Sequence, residues 1–221
     1  MRLILVGPPG SGKGTQAKLL SQRLGLFHFG TGDILREAVR LNTPKGQMAK
    51  PYVLSGRMAP DDLVNELVAE RFRREDRPER FVMDGYPRTL AQAVSFDQVL
   101  RQQFLNLDAV VLLEVDDEEI VRRLSGRWSC PNPGCKATYH TTFNPPRVPE
   151  ICDDCGTALV QREDDKEETV RRRLVVYHQN NINLLAHDRA QGLLRKVCGL
   201  GDIEGIYANL VGAIKEAGLS C

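Results

Sequence analysis

A glycine-rich stretch near the N-terminus has the composition of a phosphate-binding loop. GPPGSGKGT, residues 7–15, follows the apolar run LILV and contains four glycines and a lysine. Glycines let the backbone turn tightly, so that successive N–H groups surround an anion. The helix that follows adds its positive N-terminal end, and Lys13 adds a full charge. We interpret the stretch as a loop that holds nucleotide phosphates. The alternative is an ordinary glycine-rich turn between a strand and a helix.

The loop departs from the common pattern at one position. In G-x-x-x-x-G-K-[ST] the last residue supplies a hydroxyl that helps to hold magnesium, but here Gly14 follows Lys13 and the hydroxyl of Thr15 comes one place later. Either the loop binds no magnesium nucleotide, or the metal is held in another way.

A second motif pairs a carboxylate with a guanidinium. DGYPRT, residues 84–89, follows the apolar run FVM and contains Asp84 and Arg88. A carboxylate suits a metal ion, and an arginine suits a phosphate group. The alternatives are that Asp84 caps the next helix and that Arg88 is a solvated surface residue.

Four cysteines form two pairs in a proline-rich segment. The spacing is C-x4-C, sixteen residues, then C-x2-C, and the four thiolates suit tetrahedral zinc, with cobalt or iron also possible. The predicted ligands are Cys130, Cys135, Cys152 and Cys155. Two disulfides or unrelated buried thiols are the alternatives. A nucleic-acid-binding ribbon is disfavoured, because acidic residues outnumber basic ones between the first and last of these cysteines.

Composition excludes several classes of protein. The chain has 221 residues, 42% of them hydrophobic, and a formal net charge of +1 from 30 basic and 29 acidic residues. Such a balance gives no overall field for binding nucleic acid or an anionic membrane. No stretch approaches the roughly eighteen apolar residues of a membrane span. We therefore expect a cytoplasmic protein with neither nucleic-acid nor membrane partners.

The pattern of elements predicts an α/β fold. Short apolar runs indicate strands at 2–7, near 27–29, and at 80–85, 109–115 and 195–199. Helical patterns fill the gaps, around 13–24, 32–41, 61–74, 89–102, 117–125, 166–187 and 203–217. Alternating strands and helices imply a parallel sheet covered on both faces, with ligands at the carboxyl ends of the strands. Gly7, Asp84 and Gly85 lie at such ends.

These motifs together resemble one family, the nucleoside monophosphate kinases, and within it the adenylate kinases. GPPGSGKGT is similar to that family's G-x-P-G-x-G-K-G-T loop, and DGYPRT to its D-G-[FY]-P-R-T motif. GTGDILR (30–36) resembles S-T-G-D-[ML]-[LF]-R, with Gly30 in place of serine. QREDDKEETVRRRL resembles R-x-D-D-x-x-E-T-[VI]-x-x-R-L. The cysteines, with ATYH and FNPP, resemble the metal-bearing lid of some bacterial members, in which the first pair is C-x2-C.

The resemblance implies a fold and a division into domains. It implies a P-loop NTPase-type sheet of five parallel strands with helices on both faces, an inserted helical domain for the nucleoside monophosphate (NMP), and a zinc-bearing lid. The core domain would comprise residues 1–29, 60–125 and 164–221. The NMP-binding domain would be 30–59, and the lid 126–163.

The resemblance also assigns roles to residues. Asp84 would orient the waters around magnesium, which answers the question raised by Gly14. The implied ATP-binding residues are Gly10, Ser11, Gly12, Lys13, Gly14, Thr15, Arg127, Thr138, Tyr139 and Gly201. The implied AMP-binding residues are Thr31, Arg36, Arg57, Met58, Gly85, Tyr86, Arg88, Gln92, Arg162 and Arg173. The implied catalytic residues are Lys13, Arg88, Arg123, Arg127, Arg162 and Arg173.

Local spacing gives further expectations for the arginines. Arg123 and Arg127 are four residues apart, which predicts that they share a helix face, and Arg162 is expected just before the helix that carries Arg173. Asp165 with Glu168 matches a capping box. Arg122, Arg171 and Arg172 are expected in ion pairs or on solvated faces.

The implied reaction is the reversible, magnesium-dependent transfer of the γ-phosphoryl group of ATP to AMP, giving two ADP. Gln92 favours AMP as the acceptor, and a UMP- or CMP-directed kinase is the alternative. The lid is expected to close over the nucleotides, and the protein is expected to be a monomer in nucleotide biosynthesis. An ATPase or a kinase of another small molecule would leave DGYPRT unexplained, and a non-enzymatic zinc-ribbon binder would leave the phosphate loop unexplained.

Overall fold

The computed structural model describes residues 1–55, 59–135, 137–216 and 218. Seven strands and eight helices are described, together with a 3-10 turn at Glu163–Asp165. The strands are β1 (Arg2–Val6), β2 (Phe27–Gly30), β3 (Phe81–Asp84), β4 (Ala109–Glu114), β5 (Arg127–Ser129), β6 (Thr138–His140) and β7 (Leu194–Cys198). The helices are α1 (Lys13–Leu24), α2 (Thr31–Arg40), α3 (Pro44–Ser55), α4 (Asp61–Arg73), α5 (Leu90–Gln102), α6 (Asp117–Ser125), α7 (Glu167–Ala190) and α8 (Ile203–Glu216).

Five strands form one parallel sheet in the order β2-β3-β1-β4-β7. This confirms the predicted parallel sheet of five strands. In the register of the sheet, Asp84 lies opposite Leu5 on one side and Gly30 on the other. Consequently the residues that follow β1, β2 and β3 leave the sheet at the same edge, where parallel sheets of this kind bind their ligands.

Alternating residues of each central strand pack into two separate cores. Ile4 and Val6 of β1 join the core that contains residues of α2, α4 and α5. Leu3 and Leu5 join the core that contains residues of α1 and α8. Both faces of the sheet are therefore covered by helices. Side chains on both faces are buried, so the strand sequences are continuously apolar and do not alternate between apolar and polar residues.

The chain forms two compact units. The first consists of Met1–Gly7, Gly12–Glu114 and Gln179–Cys221 and contains the five-stranded sheet. The second consists of Pro8–Ser11 and Val115–His178. It has an antiparallel ribbon of β5 and β6 and two small cores, one between α6 and α7 and one around the cysteines. None of the helices in the described ranges is long and apolar enough to cross a membrane.

A buried carboxylate in the first unit leads to a prediction about stability. Asp188 of α7 is 4% exposed, and its Oδ2 atom has no hydrogen-bond partner among the described residues. Burial raises the pKa of Asp188 to about 6; the nearby Asp97 raises it as well, and His187 opposes the shift. The folded state therefore holds this proton more tightly than the unfolded state. The contribution of the protonated Asp188 side chain to stability is greatest at low pH and is lost as the pH rises through about 6.

Asp188→Asn is accordingly expected to raise the free energy of unfolding at pH 7.5, by about 1–3 kcal/mol, and to change it little at pH 4. Urea denaturation at the two pH values measures the difference. Glu75→Gln, which alters an exposed carboxylate, serves as the control. A variant as stable as the parent at both pH values, or less stable at pH 7.5, would contradict the prediction.

Candidate active site

The glycine loop joins the end of β1 to the start of α1, as predicted. Gly12 precedes the helix with a φ of 94°, in the left-handed region that other residues rarely adopt, and it has no side chain to cap the helix. The first N–H groups of α1 therefore need an acceptor from elsewhere, which an anion can supply. The Lys13 Nζ atom donates to the Gly7 carbonyl at 2.7 Å, Ser11 is buried, and Thr15 is exposed in the first turn.

Asp84 gives a physical reason for Gly14. A Cβ atom at position 14 would lie 3.2 Å from Asp84 Oδ2, closer than side chains normally pack. Position 14 therefore lacks the hydroxyl of the common loop pattern, and the Asp84 carboxylate lies beside it instead. Such a carboxylate fits magnesium, which favours oxygen ligands and keeps several of its waters. His28 Nε2 lies 3.9 Å from the same Oδ2, an arrangement that the sequence alone did not indicate.

A cavity of about 250 Å³ lies at the same edge of the sheet, within the first unit. Five of its lining residues were predicted to bind the acceptor nucleotide: Thr31, Arg36, Gly85, Arg88 and Gln92. The remaining lining is largely apolar: Gly32, Leu35, Tyr52, Val53, Ala59 and Val64. A cavity with two guanidinium groups and an apolar wall suits a ligand that has both a phosphate and a flat base.

The polar groups of this cavity make contacts within the first unit. Arg36 Nη2 forms a 2.6 Å ion pair with Asp33, and Arg88 Nε donates to the Gly85 carbonyl at 2.7 Å. Thr31 Oγ1 also donates to the Gly85 carbonyl, at 2.7 Å. Both guanidinium groups belong to exposed residues, so that solvent or an anion can reach them.

Three predicted acceptor-binding positions need comment. The Tyr86 side chain is 1% exposed, and its hydroxyl donates to Asn65 Oδ1 at 2.8 Å. Any part of Tyr86 in binding must therefore come from its backbone. Arg57 and Met58 lie outside the described residues.

In the second unit, Arg127 has a structural partner that the sequence did not reveal. Its Nε atom donates to Asp165 Oδ2 at 2.9 Å, and its Nη2 atom donates to the other oxygen of a carboxylate that is fully buried. The predicted capping box is wrong, because α7 begins at Glu167 and the Asp165 carboxylate pairs with Arg127 instead. The expectation that Arg123 and Arg127 share a helix face is wrong as well, since α6 ends at Ser125 and Arg127 lies on β5.

The other arginines of this unit have local partners or are exposed. Arg123 pairs with Glu119 at 2.7 Å, and Arg173 donates to the Asp164 carbonyl at 3.2 Å. Arg162 is exposed and precedes the 3-10 turn, so it lies before the helix, as expected. The ion pairs expected for three further arginines are confirmed; they join Arg122 to Glu119, Arg171 to Glu118 and Glu167, and Arg172 to Glu168.

The four cysteines of the C-x4-C and C-x2-C motifs form a cluster that fits a tetrahedral metal. All four Sγ atoms lie within 4.8 Å of one another, with 3.4 Å between Cys130 and Cys155 and 3.6 Å between Cys135 and Cys152. Four thiolates about 2.3 Å from one zinc ion would be about 3.8 Å apart, close to these values. All four are free cysteines, so they are not paired as disulfides. Hydrogen bonding to Thr157 lowers the pKa of Cys155 to about 6, which favours the thiolate that a metal requires.

The two residues predicted to lie over the adenine of ATP differ in exposure. Thr138 is exposed, whereas Tyr139 is 6% exposed and packs among the cysteines, with its hydroxyl accepting a hydrogen bond from the Asp153 N–H at 2.8 Å. The Tyr139 side chain is therefore part of the core around the cysteine cluster. Gly201 lies in the exposed loop between β7 and α8, with a φ of 111°.

Fold and site define a class of protein. A glycine loop leads from β1 into a helix, and the residues that follow β2 and β3 line a cavity that contains two arginines. This is the arrangement of a P-loop phosphotransferase that acts on a phosphorylated acceptor. The family model described as adenylate kinase matches residues 5–193. The chain belongs to the adenylate kinase family, and it is a phosphotransferase enzyme.

Several curated relatives resemble the chain over nearly their whole length. It is 49% identical to an adenylate kinase of Citrifermentans bemidjiense, covering 97% of this chain and 100% of that protein. It is 48% identical to an adenylate kinase of Syntrophotalea carbinolica, covering 97% and 98%. It is 44% identical to an adenylate kinase of Archaeoglobus fulgidus, covering 98% and 99%.

Proposed function

We propose that the enzyme transfers the γ-phosphoryl group of ATP to AMP, reversibly and with magnesium, giving two ADP. The observation that carries this proposal is the cavity lined by Arg36, Arg88 and Gln92 at the carboxyl ends of β2 and β3, beside the strand that leads into the phosphate loop. The apolar wall of the cavity can receive the base of AMP, and its guanidinium groups can receive the phosphate.

In the proposed mechanism the protein supplies position and positive charge. The loop N–H groups and Lys13 hold the phosphates of ATP, while Arg36 and Arg88 hold the phosphate of AMP. A phosphate oxygen of AMP attacks the γ-phosphorus, the bond to the β-phosphate breaks, and the electrons of that bond remain on the departing ADP. No general base is required, because the acceptor phosphate is already anionic near neutral pH. Magnesium, when bound, would neutralise charge on the phosphates of ATP, and Asp84 is the residue that would order its waters.

Four further arginines are proposed to stabilise the charge on the transferring group: Arg123, Arg127, Arg162 and Arg173. For Arg162 and Arg173 the proposal rests on their match to the family's R-x-D-D-x-x-E-T-[VI]-x-x-R-L motif, and for Arg123 and Arg127 on the resemblance to the family as a whole. Arginines that act on a transferring phosphoryl group contribute about 10³–10⁵-fold to the rate. Arg127 would have this role in addition to its ion pair with the buried Asp165.

Further proposals concern organisation and setting. We propose the three domains at 1–29 with 60–125 and 164–221, at 30–59, and at 126–163, with a structural zinc ion in the last. All four positions of that ion would be occupied by cysteines, so that none is open for catalysis. A monomer in the cytoplasm is also proposed, and the five free cysteines of the described residues are in keeping with a reducing compartment.

A panel of acceptors tests the proposed reaction. ADP formation from Mg-ATP is measured with AMP, UMP, CMP and GMP in separate assays, and rapid turnover is expected with AMP alone. A preference for UMP or CMP would overturn the assignment of the acceptor. Hydrolysis of ATP at the same rate with and without acceptor would overturn the proposed transfer itself.

A further inference from the structure

Asp61, the first residue of α4, contacts two residues: Thr89, at the end of the DGYPRT segment, and Gln92, in the helix that follows it. Its Oδ1 atom accepts a hydrogen bond from Gln92 Nε2 at 2.7 Å, and its Oδ2 atom accepts one from Thr89 Oγ1 at 2.8 Å. These partners are 31 and 28 residues away in the sequence. One carboxylate therefore links the start of α4 to the first turn of α5.

The two neighbours of the Gln92 amide require the same orientation of it. The backbone N–H of Arg88 lies 2.7 Å from Gln92 Oε1, and a backbone N–H can only donate. The ionised carboxylate of Asp61 can only accept, so it must face the NH₂ group. Gln92 is 3% exposed, so water cannot readily replace either partner. The amide is thus held in one of its two possible orientations.

Thr89 strengthens this arrangement. Its hydroxyl accepts the Gln92 backbone N–H at 3.2 Å, as the N-cap of α5. The single hydroxyl proton of Thr89 is then donated to Asp61. The backbone and the side chain of Gln92 are therefore both tied, directly or through Thr89, to the same carboxylate.

A fixed amide can distinguish between purines. With these two contacts made, Gln92 retains one N–H and one acceptor lone pair, and it lines the cavity. A 6-aminopurine presents an amino donor beside the N1 acceptor, which complements this pair. A 6-oxopurine presents an oxygen acceptor beside an N1–H donor, which is the reverse order and would require the amide to rotate.

We propose that Asp61 is a positioning residue for the acceptor base: by fixing the orientation of the Gln92 amide, it makes the site prefer a 6-aminopurine over a 6-oxopurine. This inference rests on the proposed function, in which the cavity binds the acceptor nucleotide. Asp61 itself need not touch the nucleotide.

Asp61→Ala tests the proposal, with Asp62→Ala as the matched control. Asp62 is the next residue, an exposed aspartate in the same first turn of α4, so both variants lose the same charge near the same helix end. Steady-state assays would measure kcat and KM with AMP and with IMP at saturating Mg-ATP. Calorimetric titration of each monophosphate in the absence of ATP would give binding without turnover.

For Asp61→Ala we expect the KM for AMP to rise on the order of 10- to 100-fold, the range expected on losing a hydrogen bond to a charged group. The KM for ATP should stay unchanged, and the ratio of kcat/KM for AMP over IMP should fall by about 10-fold or more. Asp62→Ala should leave that ratio unchanged. Asp61→Asn keeps one oxygen acceptor and should give an intermediate fall.

An unchanged ratio in Asp61→Ala, or an equal fall in Asp62→Ala, would overturn the proposal. Thermal denaturation identifies a variant that has not folded. If Asp61→Ala does not fold, the ratio in Asp61→Asn decides, and an unchanged ratio again overturns it. Failure of the proposed function would look different, since the unaltered enzyme would then show no preference for AMP.

Discussion

Replacing Arg88 with alanine is expected to lower kcat/KM for AMP by about 10³–10⁵-fold, the range that arginines contribute to phosphoryl transfer. Arg88 follows the carboxyl end of β3, and its Nε atom is held by the Gly85 carbonyl at 2.7 Å. The guanidinium is thereby fixed at the cavity, where it can hold the acceptor phosphate through two parallel hydrogen bonds. Steady-state assays with AMP and Mg-ATP measure the loss.

Two further variants separate this role from a general effect of charge. Arg101→Ala removes an exposed arginine at the end of α5 and should leave the rate unchanged. Arg88→Lys keeps the charge but loses the planar fork, so it should recover only part of the activity. Full activity in Arg88→Ala would contradict the assignment of Arg88 to the acceptor phosphate. Arg127 is a less suitable choice for this test, since its removal would also leave the buried Asp165 carboxylate without its ion-pair partner.

The fold could be predicted from the sequence because its signals are local. The five strands of the parallel sheet are short apolar runs, and each was predicted within a few residues of its observed bounds. The strand ends then placed Gly7, Asp84 and Gly85 at one edge, since parallel strands have their carboxyl ends together. Motif spacing also indicated the four cysteines, whose Sγ atoms do lie together.

Contacts between distant parts of the sequence could not be predicted in this way. Asp61 and Gln92 are 31 residues apart, and Arg127 and Asp165 are 38 residues apart, so no periodic pattern connects them. Asp165 resembled a helix cap because its local sequence allows one, but the ion pair with Arg127 takes up its carboxylate. Likewise, the ATYH motif does not indicate that Tyr139 is buried, yet its side chain packs against the cysteine cluster.

The second large effect is expected at the cluster of four cysteines. We expect the purified protein to hold zinc at a ratio of about one per chain, and Cys152→Ser to lose that zinc. Cys152 is 1% exposed and belongs to a core that otherwise contains little apolar surface: Trp128, Ala137, Tyr139 and Leu159 with Cys130 and Cys135. We expect so small a core to depend on a bound metal for its stability, so the midpoint of thermal unfolding of Cys152→Ser should fall on the order of 10 °C.

Cys198→Ser is the matched control for Cys152→Ser. Cys198 is a free, exposed thiol on β7, outside the cluster, so its loss should affect neither zinc content nor the unfolding midpoint. Treatment of the unaltered protein with a chelator should reproduce the lower midpoint of Cys152→Ser, and added zinc should reverse it, because the ligands remain in place. The variant should respond to neither treatment, since three thiolates and a hydroxyl bind zinc far more weakly than four thiolates. Zinc retained by Cys152→Ser, or an equal loss in Cys198→Ser, would show that the four cysteines are not the ligands.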